Sequence, residues 1–441
     1  MFRAGTRSQL RRNTLAGGVG AIAGAAISAI SYPAYLHFLG YEQYGLWLAV
    51  SVVISFAAFG HLGLAPAVAT TVAAEYAKGD LAGVRKTVST SLIALSAIGL
   101  TAVACILLGG NGFIAALHLR PALAAQARML LPFVAMLSLY VVQIDTINAV
   151  LVGLGRLDLA VATLQGGRIF SLALAVALLL AGRGVMSLPI ANLAGNVFVH
   201  ITSLVLARKV TGQGCFALSA FNFAHLRSLM AFGSGVLAST LINFLLSPLS
   251  KFVLTRYVGP STVPVYDMAF TMTMQLRGVL DSGFSSLMPE VSRLKALASE
   301  EARLRTRAIY GQAMKLILII GLPLFGGAII LAHVALQLWI GSRFRPDLVP
   351  ALRILLLGGF VSLVGVPGYH IVLGVRRVKQ IFFGFVLQSG INVVALSCLC
   401  YLGLLSGFSA AFAASASIAA GGLYFFFSGR CVSRALEQHT I

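Results

Sequence analysis

Six charged side chains interrupt long apolar stretches of this 441-residue chain: Asp145, Arg168, Asp267, Arg277, Asp281 and Lys315. Their types suit two kinds of chemistry. Arg168, Arg277 and Lys315 suit a phosphate or pyrophosphate, which arginine grips through its planar guanidinium fork. Asp145, Asp267 and Asp281 suit a coupling proton, or the balancing of those cations when no anion is bound. The alternative for all of them is structural ion pairing between helices. Spacing favours two pairs. Arg277 and Asp281 are four residues apart, on one helical face. Asp145 and Arg168 enter neighbouring apolar runs from the same end, and both lie roughly 10 Å deep at about 1.5 Å per residue. Gln143, Asn148, Gln165 and Gln275 add polar surface, while Lys251 is placed to snorkel from the end of its run.

Other chemistries find no pattern. The eight histidines are scattered, with His61 and His370 inside apolar surroundings, and no nucleophile–base set accompanies them. No catalytic residue is assigned, and a transporter is expected rather than an enzyme. No zinc spacing, phosphate-binding glycine loop or basic–aromatic nucleic-acid tract is present. Cys105, Cys215, Cys398, Cys400 and Cys431 read as free thiols, with no metal and no bound cofactor expected.

The elements that must carry these groups are membrane helices. Hydrophobic residues make up 59% of the chain and charged ones 10%, against roughly 25% charged in soluble domains. The apolar runs are continuous and long enough to cross a bilayer as helices; a β-barrel would show short alternating segments. The reading is an all-α polytopic membrane protein with about 12 transmembrane helices. The spans are expected near 14–38, 44–66, 88–109, 129–151, 160–181, 185–207, 229–253, 262–286, 308–340, 351–374, 379–404 and 407–428. Arg3, Arg7, Arg11 and Arg12 precede the first run, which is too long for a signal peptide and is read as a retained helix. Net charge is +20. Its bias toward the termini and the loops after even-numbered spans places those in the cytoplasm. Attraction to anionic lipid explains the charge without nucleic acid. Trp47 and Trp339, with Tyr32, Tyr35, Tyr41 and Tyr44, fall at the outer interface.

The two halves echo each other. Arg120-Pro121 followed by Arg128 matches Arg345-Pro346 followed by Arg353, Gly153 and Arg156 match Gly374 and Arg377, and Leu164-Gln165-Gly166-Gly167 matches Leu387-Gln388-Ser389-Gly390. The corner at Gly40 has a weaker counterpart at Val258-Gly259-Pro260. Two six-helix lobes are expected, residues 1–209 and 227–441, joined by a cytoplasmic linker over 210–226. An even number of spans per lobe inserts both the same way up.

The stretch Arg12-Asn13-Thr14, then Pro33, then Phe38-Leu39-Gly40-Tyr41-Glu42-Gln43-Tyr44-Gly45-Leu46-Trp47 and Phe59-Gly60-His61-Leu62-Gly63-Leu64, resembles the start of Wzx-type polysaccharide flippases of the MOP exporter superfamily. The resemblance is position by position over about residues 12–90 and in hydropathy over nearly the whole chain. It implies a MATE-like, V-shaped pair of lobes that exposes a cationic cavity to alternate membrane faces. It implies transfer of an undecaprenyl-pyrophosphate-linked oligosaccharide from the cytoplasmic to the periplasmic leaflet of the bacterial inner membrane, coupled to a proton or sodium gradient. Implied partners are the lipid-linked glycan, membrane lipids, and the polymerase and glycosyltransferases of the pathway. The second corner departs, with Val263-Pro264-Val265-Tyr266 where the first has Tyr44-Gly45-Leu46-Trp47. Competing readings are a MATE-type multidrug or cation antiporter, a peptidoglycan-precursor flippase, and a non-transporting scaffold of a glycan assembly complex.

Overall fold

The computed structural model describes residues 5–57, 60, 63–230, 246–284, 291, 300–375 and 377–435. Among the described residues every regular element is helical. The chain divides into two compact units, 1–241 with 259–261, and 242–258 with 262–441. The first holds α1 (Gly5–Ala57), α2 (Leu64–Ala77), α3 (Leu81–Ala116), α4 (Pro121–Gly153), α5 (Leu157–Leu180) and α6 (Ser187–Thr211). The second holds α7 (Ser247–Tyr257), α8 (Val263–Phe284), α9 (Glu300–Ile340), α10 (Leu348–Val364), α11 (Val366–Gly374), α12 (Val378–Tyr401) and α13 (Gly407–Ala435).

Nine helical stretches among the described residues are long and apolar enough to cross a membrane, α10 and α11 counting as one. The first expected span and most of the second lie in α1, which changes direction at Gly40 without a loop (φ 68°, ψ 178°). That conformation is open essentially to glycine alone. α8 is not in the apolar set because Asp267, Arg277 and Asp281 all fall within its 22 residues. Most of the expected span 229–253 lies outside the described residues.

Local chemistry sets the ends. Asp80 caps α3 by accepting a hydrogen bond from Gly83 N at 2.8 Å. Pro121 opens α4, where a missing N–H costs nothing. Gly212 closes α6 in the left-handed region (φ 73°). α10 and α11 are one span broken at Gly365, just before Pro367, which cannot donate to the helical ladder.

The first unit's core interlocks α2, α3 and α4 through Val68, Val72, Val88, Ile147 and Leu151. Polar cross-links run through it. Asn148 Oδ1 of α4 accepts from Thr163 Oγ1 of α5 at 3.2 Å and from Ser203 Oγ of α6 at 3.4 Å. In hydrocarbon, such bonds and close backbone approach supply much of the association energy. Trp47 is buried at 8% exposure. Tyr32 and Tyr44 are buried beside it, with ring centroids 6.1 Å apart. Part of the aromatic corner thus packs inside the unit, while Phe38 stays exposed. The segment read as a linker is tied to α3. Ala217 N donates to Ser89 Oγ at 2.9 Å, Asn222 N donates to Thr90 Oγ1 at 3.1 Å, and Leu218 stays 74% exposed.

Candidate functional site

Among the described residues each unit has a polar cavity, and four of the six charged residues line these two. In the first unit Ser31 and Tyr35 from α1, Asp145 from α4, Arg168 from α5, and Asn192 and Asn196 from α6 surround about 330 Å³. Two details bring Arg168 there. Gln165 Nε2, about one turn earlier on α5, donates to Gly20 O at 3.0 Å and draws α5 against α1. Gly24 then makes room: a Cβ on it would sit 3.0 Å from Arg168 Nη1. Among the described residues Arg168 makes no hydrogen bond or ion pair, with Asp145 or with any other group. Both charges face the same water-accessible space without cancelling by contact, so the guanidinium fork keeps its donors for an anion.

In the second unit Arg277 and Asp281 from α8 meet Ser362 from α10, Tyr369 from α11, Gln388 from α12 and Gly421 and Gly422 from α13, around about 240 Å³. The expected Arg277–Asp281 ion pair does not form. Asp281 Oδ1 instead lies 3.1 Å from Nε2 of His370, a residue of α11 that chain distance hides from a same-helix argument. Arg277 Nε is buried with no hydrogen-bond partner among the described residues. A buried donor without a partner costs free energy, and an oxygen-rich ligand in this cavity would remove that cost. His370 is the cavity neighbour that spacing alone could not assign. Its lodging in an apolar run was the one visible signal.

The remaining two charges lie elsewhere. Asp267, buried at 4% exposure, pairs with Lys251 Nζ at 2.5 Å, so Lys251 turns inward where snorkelling was expected. That pair joins α7 to α8 across the Gly259 corner. Lys315 is exposed on α9 and is not among the residues lining either polar cavity. Among the described residues no group of three or more His, Cys, Asp or Glu is placed to hold a metal.

A second polar cluster closes one end of the first unit. Thr87 Oγ1 donates to the Glu75 carboxylate at 2.8 Å and lies 2.8 Å from His225 Nε2. Burial raises the Glu75 pKa above its ordinary value, against the Thr87 hydrogen bond that lowers it. Burial, then Lys86, lowers that of His225.

The fold is shared with solved transporters. An inward-facing multidrug-resistance MATE transporter of the MOP superfamily superposes with a TM-score of 0.75 at 17% identity, over 97% of this chain and 96% of that one. A MOP-superfamily transporter from Pyrococcus furiosus, whose binding pocket of reversed polarity is taken to suggest a different function, gives 0.67 at 17% identity over 97% and 96%. The outward-facing MATE transporter gives 0.64 at 16% identity, again over 97% and 96%. At these identities the likeness establishes the fold. Among curated proteins none matches. The sequence profile of the polysaccharide biosynthesis proteins, however, matches residues 37–349, most of the chain and parts of both units, and on that match the chain belongs to the polysaccharide biosynthesis protein family.

Proposed function

We propose that this protein moves a polyprenyl-pyrophosphate-linked oligosaccharide from the cytoplasmic to the periplasmic leaflet of the bacterial inner membrane. The observation that carries the reading is Arg168, a guanidinium lining a water-accessible cavity, with no anion in contact among the described residues. A diphosphate and its sugars cannot enter hydrocarbon unaided. A cavity with an available guanidinium takes the diphosphate while the polyprenyl tail stays in lipid. Arg277, with its unpartnered Nε, is the corresponding cation of the second unit. Asp145 and Asp281 balance these cations between substrates, and a proton or sodium gradient gives the step direction. Asp267 serves as a charge balance for Lys251, and its place is structural. The family membership supports a glycan substrate, and with it the pathway's polymerase and glycosyltransferases as partners. The basic loops support an orientation with both termini in the cytoplasm.

The test is a proteoliposome assay with a labelled polyprenyl-pyrophosphate sugar. Loading one leaflet and probing the other gives the transfer rate. Arg168→Ala and Arg277→Ala should each slow transfer at unchanged protein level, and full transfer by both variants removes the cavity assignment. A cation antiporter is the second reading, favoured by Asp145 and Asp281 lining the same cavities. It predicts export of organic cations, lost with Asp145→Asn, from vesicles that transfer no glycan lipid.

A further inference from the structure

The second unit carries an apolar groove that the polar cavities do not use. It lies between α8 and α9, holds about 170 Å³, and is lined by Val279, Gly283 and Phe284 on one wall and Leu316, Ile320 and Gly321 on the other. Both helices pack on α10 and leave the groove open between them. Glycine leaves the α8 wall bare at one position and lets α9 approach α10 at another. A Cβ on Gly283 would meet nothing within 4 Å, and Gly321 lies close enough to α10 that its Cβ would come within 3.0 Å of Leu363 Cδ2.

A cation marks the edge of this groove. Lys315 directly precedes the lining residue Leu316 and shares a helical row with Ile319 and Leu322, which are 69% and 58% exposed. A row so apolar in a membrane span meets acyl chains. Among the described residues Lys315 makes no hydrogen bond or ion pair. It stands roughly 12–15 Å along the axis from Arg305 and Arg307 at the basic end of α9. A lysine at that depth is costly unless its ammonium meets an anion or reaches the headgroups. Hydrophobicity cannot select an occupant here, because lipid tails are as apolar as the groove. The selective element is the charge beside it, which asks for an apolar chain ending in phosphate. α8 then links this groove to the polar cavity: Val279 and Gly283 line the groove while Arg277 and Asp281 line the cavity.

We propose that the α8–α9 groove and Lys315 form the lateral docking site of the polyprenyl diphosphate, holding the isoprene units nearest the diphosphate before the headgroup passes to Arg277. This rests on the proposed glycan-lipid transfer. The α8 face that lines the groove would then see the tail, and the opposite face would see the head.

The experiment is photo-crosslinking with the full chain in phosphatidylcholine vesicles. The probe is a polyprenyl diphosphate bearing a diazirine on an isoprene close to the diphosphate. Adducts are expected around Gly283 and Gly321. Lys315→Gln should reduce them about fivefold, as much as one basic residue contributes to attraction for anionic lipid, and Lys315→Arg should restore them. Gly283→Leu, which fills the groove, should also reduce them. If that variant does not fold, the Gln and Arg variants decide alone. Phosphatidylglycerol with a diazirine in its acyl chain should label the spans without preference for the groove, and free pyrophosphate should not compete. Equal groove labelling by phosphatidylglycerol, competition by free pyrophosphate, or adducts indifferent to Lys315 would overturn the proposal. Transfer of the labelled glycan lipid is scored in the same vesicles. Normal transfer with an unlabelled groove sinks the docking site alone. A labelled groove without transfer sinks the transfer reading and leaves the site standing.

Discussion

Gly24 and Arg168 work as a pair: the missing side chain on α1 is the space the guanidinium occupies. Arg168→Lys keeps the charge and loses the planar fork, so it should transfer glycan lipid more slowly than the parent and faster than Arg168→Ala. Losing a charge-assisted contact costs about 1.5–3 kcal/mol, so the alanine variant should need roughly 10–100 times more substrate for the same rate. Substrate titration in proteoliposomes reads this directly, and an Arg168→Lys variant as fast as the parent would show that charge alone, without the planar fork, is what the site uses. Glu75 makes a different prediction. Its pKa is raised in the folded state by burial, so between the ordinary carboxyl value and the raised one the folded protein holds the extra proton. Stability therefore falls as pH rises through that window. Glu75→Gln, which keeps an acceptor for Thr87, should flatten this dependence in melting curves of the detergent-solubilised protein. His225 acts in the opposite sense: its depressed pKa weakens folding as pH falls through the ordinary histidine value. Its contribution should survive in the Gln variant. Counting residues in from a helix end was enough to bring Asp145 and Arg168 to one level, because helical rise is fixed. It failed for Asp281 and Asp267, whose partners His370 and Lys251 arrive from other helices. Periodicity carries no information about which helix lies alongside.

At the scale of the element, glycine decides where helices turn and where they touch. Gly40 sits at φ 68° and ψ 178°, and Gly40→Ala should cost about 1–3 kcal/mol, visible as a lower melting midpoint. A second set of glycines sets the packing of α13. Ser415, Gly422 and Gly429 recur every seven residues and face Gly358, Gly365 and Gly368 respectively, and in each contact a Cβ on the glycine of α10, of α11 or of the break between them would run into backbone of α13. Backbone cannot step aside as a side chain can, so Gly422→Val should destabilise the second unit by at least the roughly 1–3 kcal/mol of ordinary overpacking. Gly109→Val on α3, whose Cβ would meet nothing within 4 Å, is the control and should leave the melting midpoint unchanged. If both variants melt alike, close backbone approach is not what holds α13. The existence of these elements was legible because apolar runs of membrane length leave few alternatives. Their details were less so. The sequence shows that Gly40 turns the chain but not that it does so without a loop. It contains the α10–α11 break only as Gly365 and Pro367, residues that membrane helices also tolerate unbroken. The composition of α8 hides a span-length helix behind three charges that its neighbours accommodate.

For the whole molecule the open quantity is direction, and charge predicts it. Both units should present their basic loops to the same compartment if each lobe has the six spans read from the sequence, since an even number returns the chain to the side it started from. Exposed positions in both units make this testable with introduced cysteines. In the first, Lys78 follows α2 and Ala122 opens α4; in the second, Lys379 opens α12 and Ser342 follows α9. In a background lacking the exposed natural cysteines Cys105, Cys398 and Cys431, a membrane-impermeant maleimide added to intact spheroplasts should label Ala122→Cys and Ser342→Cys. Lys78→Cys and Lys379→Cys should react only after the membrane is opened. The full reverse pattern would place the basic loops outside, against the electrostatic preference that retains lysine and arginine in the cytoplasm, and would reverse the proposed direction of glycan transfer. A mixed pattern, with Ala122 and Lys379 labelled together, would mean that the two units insert in opposite senses. Duplicated loops such as Arg120-Pro121 and Arg345-Pro346 would then face opposite compartments, and the two polar cavities could not act on the same end of a substrate. Equal labelling of Ala122→Cys and Ser342→Cys is therefore what the two-cation reading of Arg168 and Arg277 requires before any transport is measured.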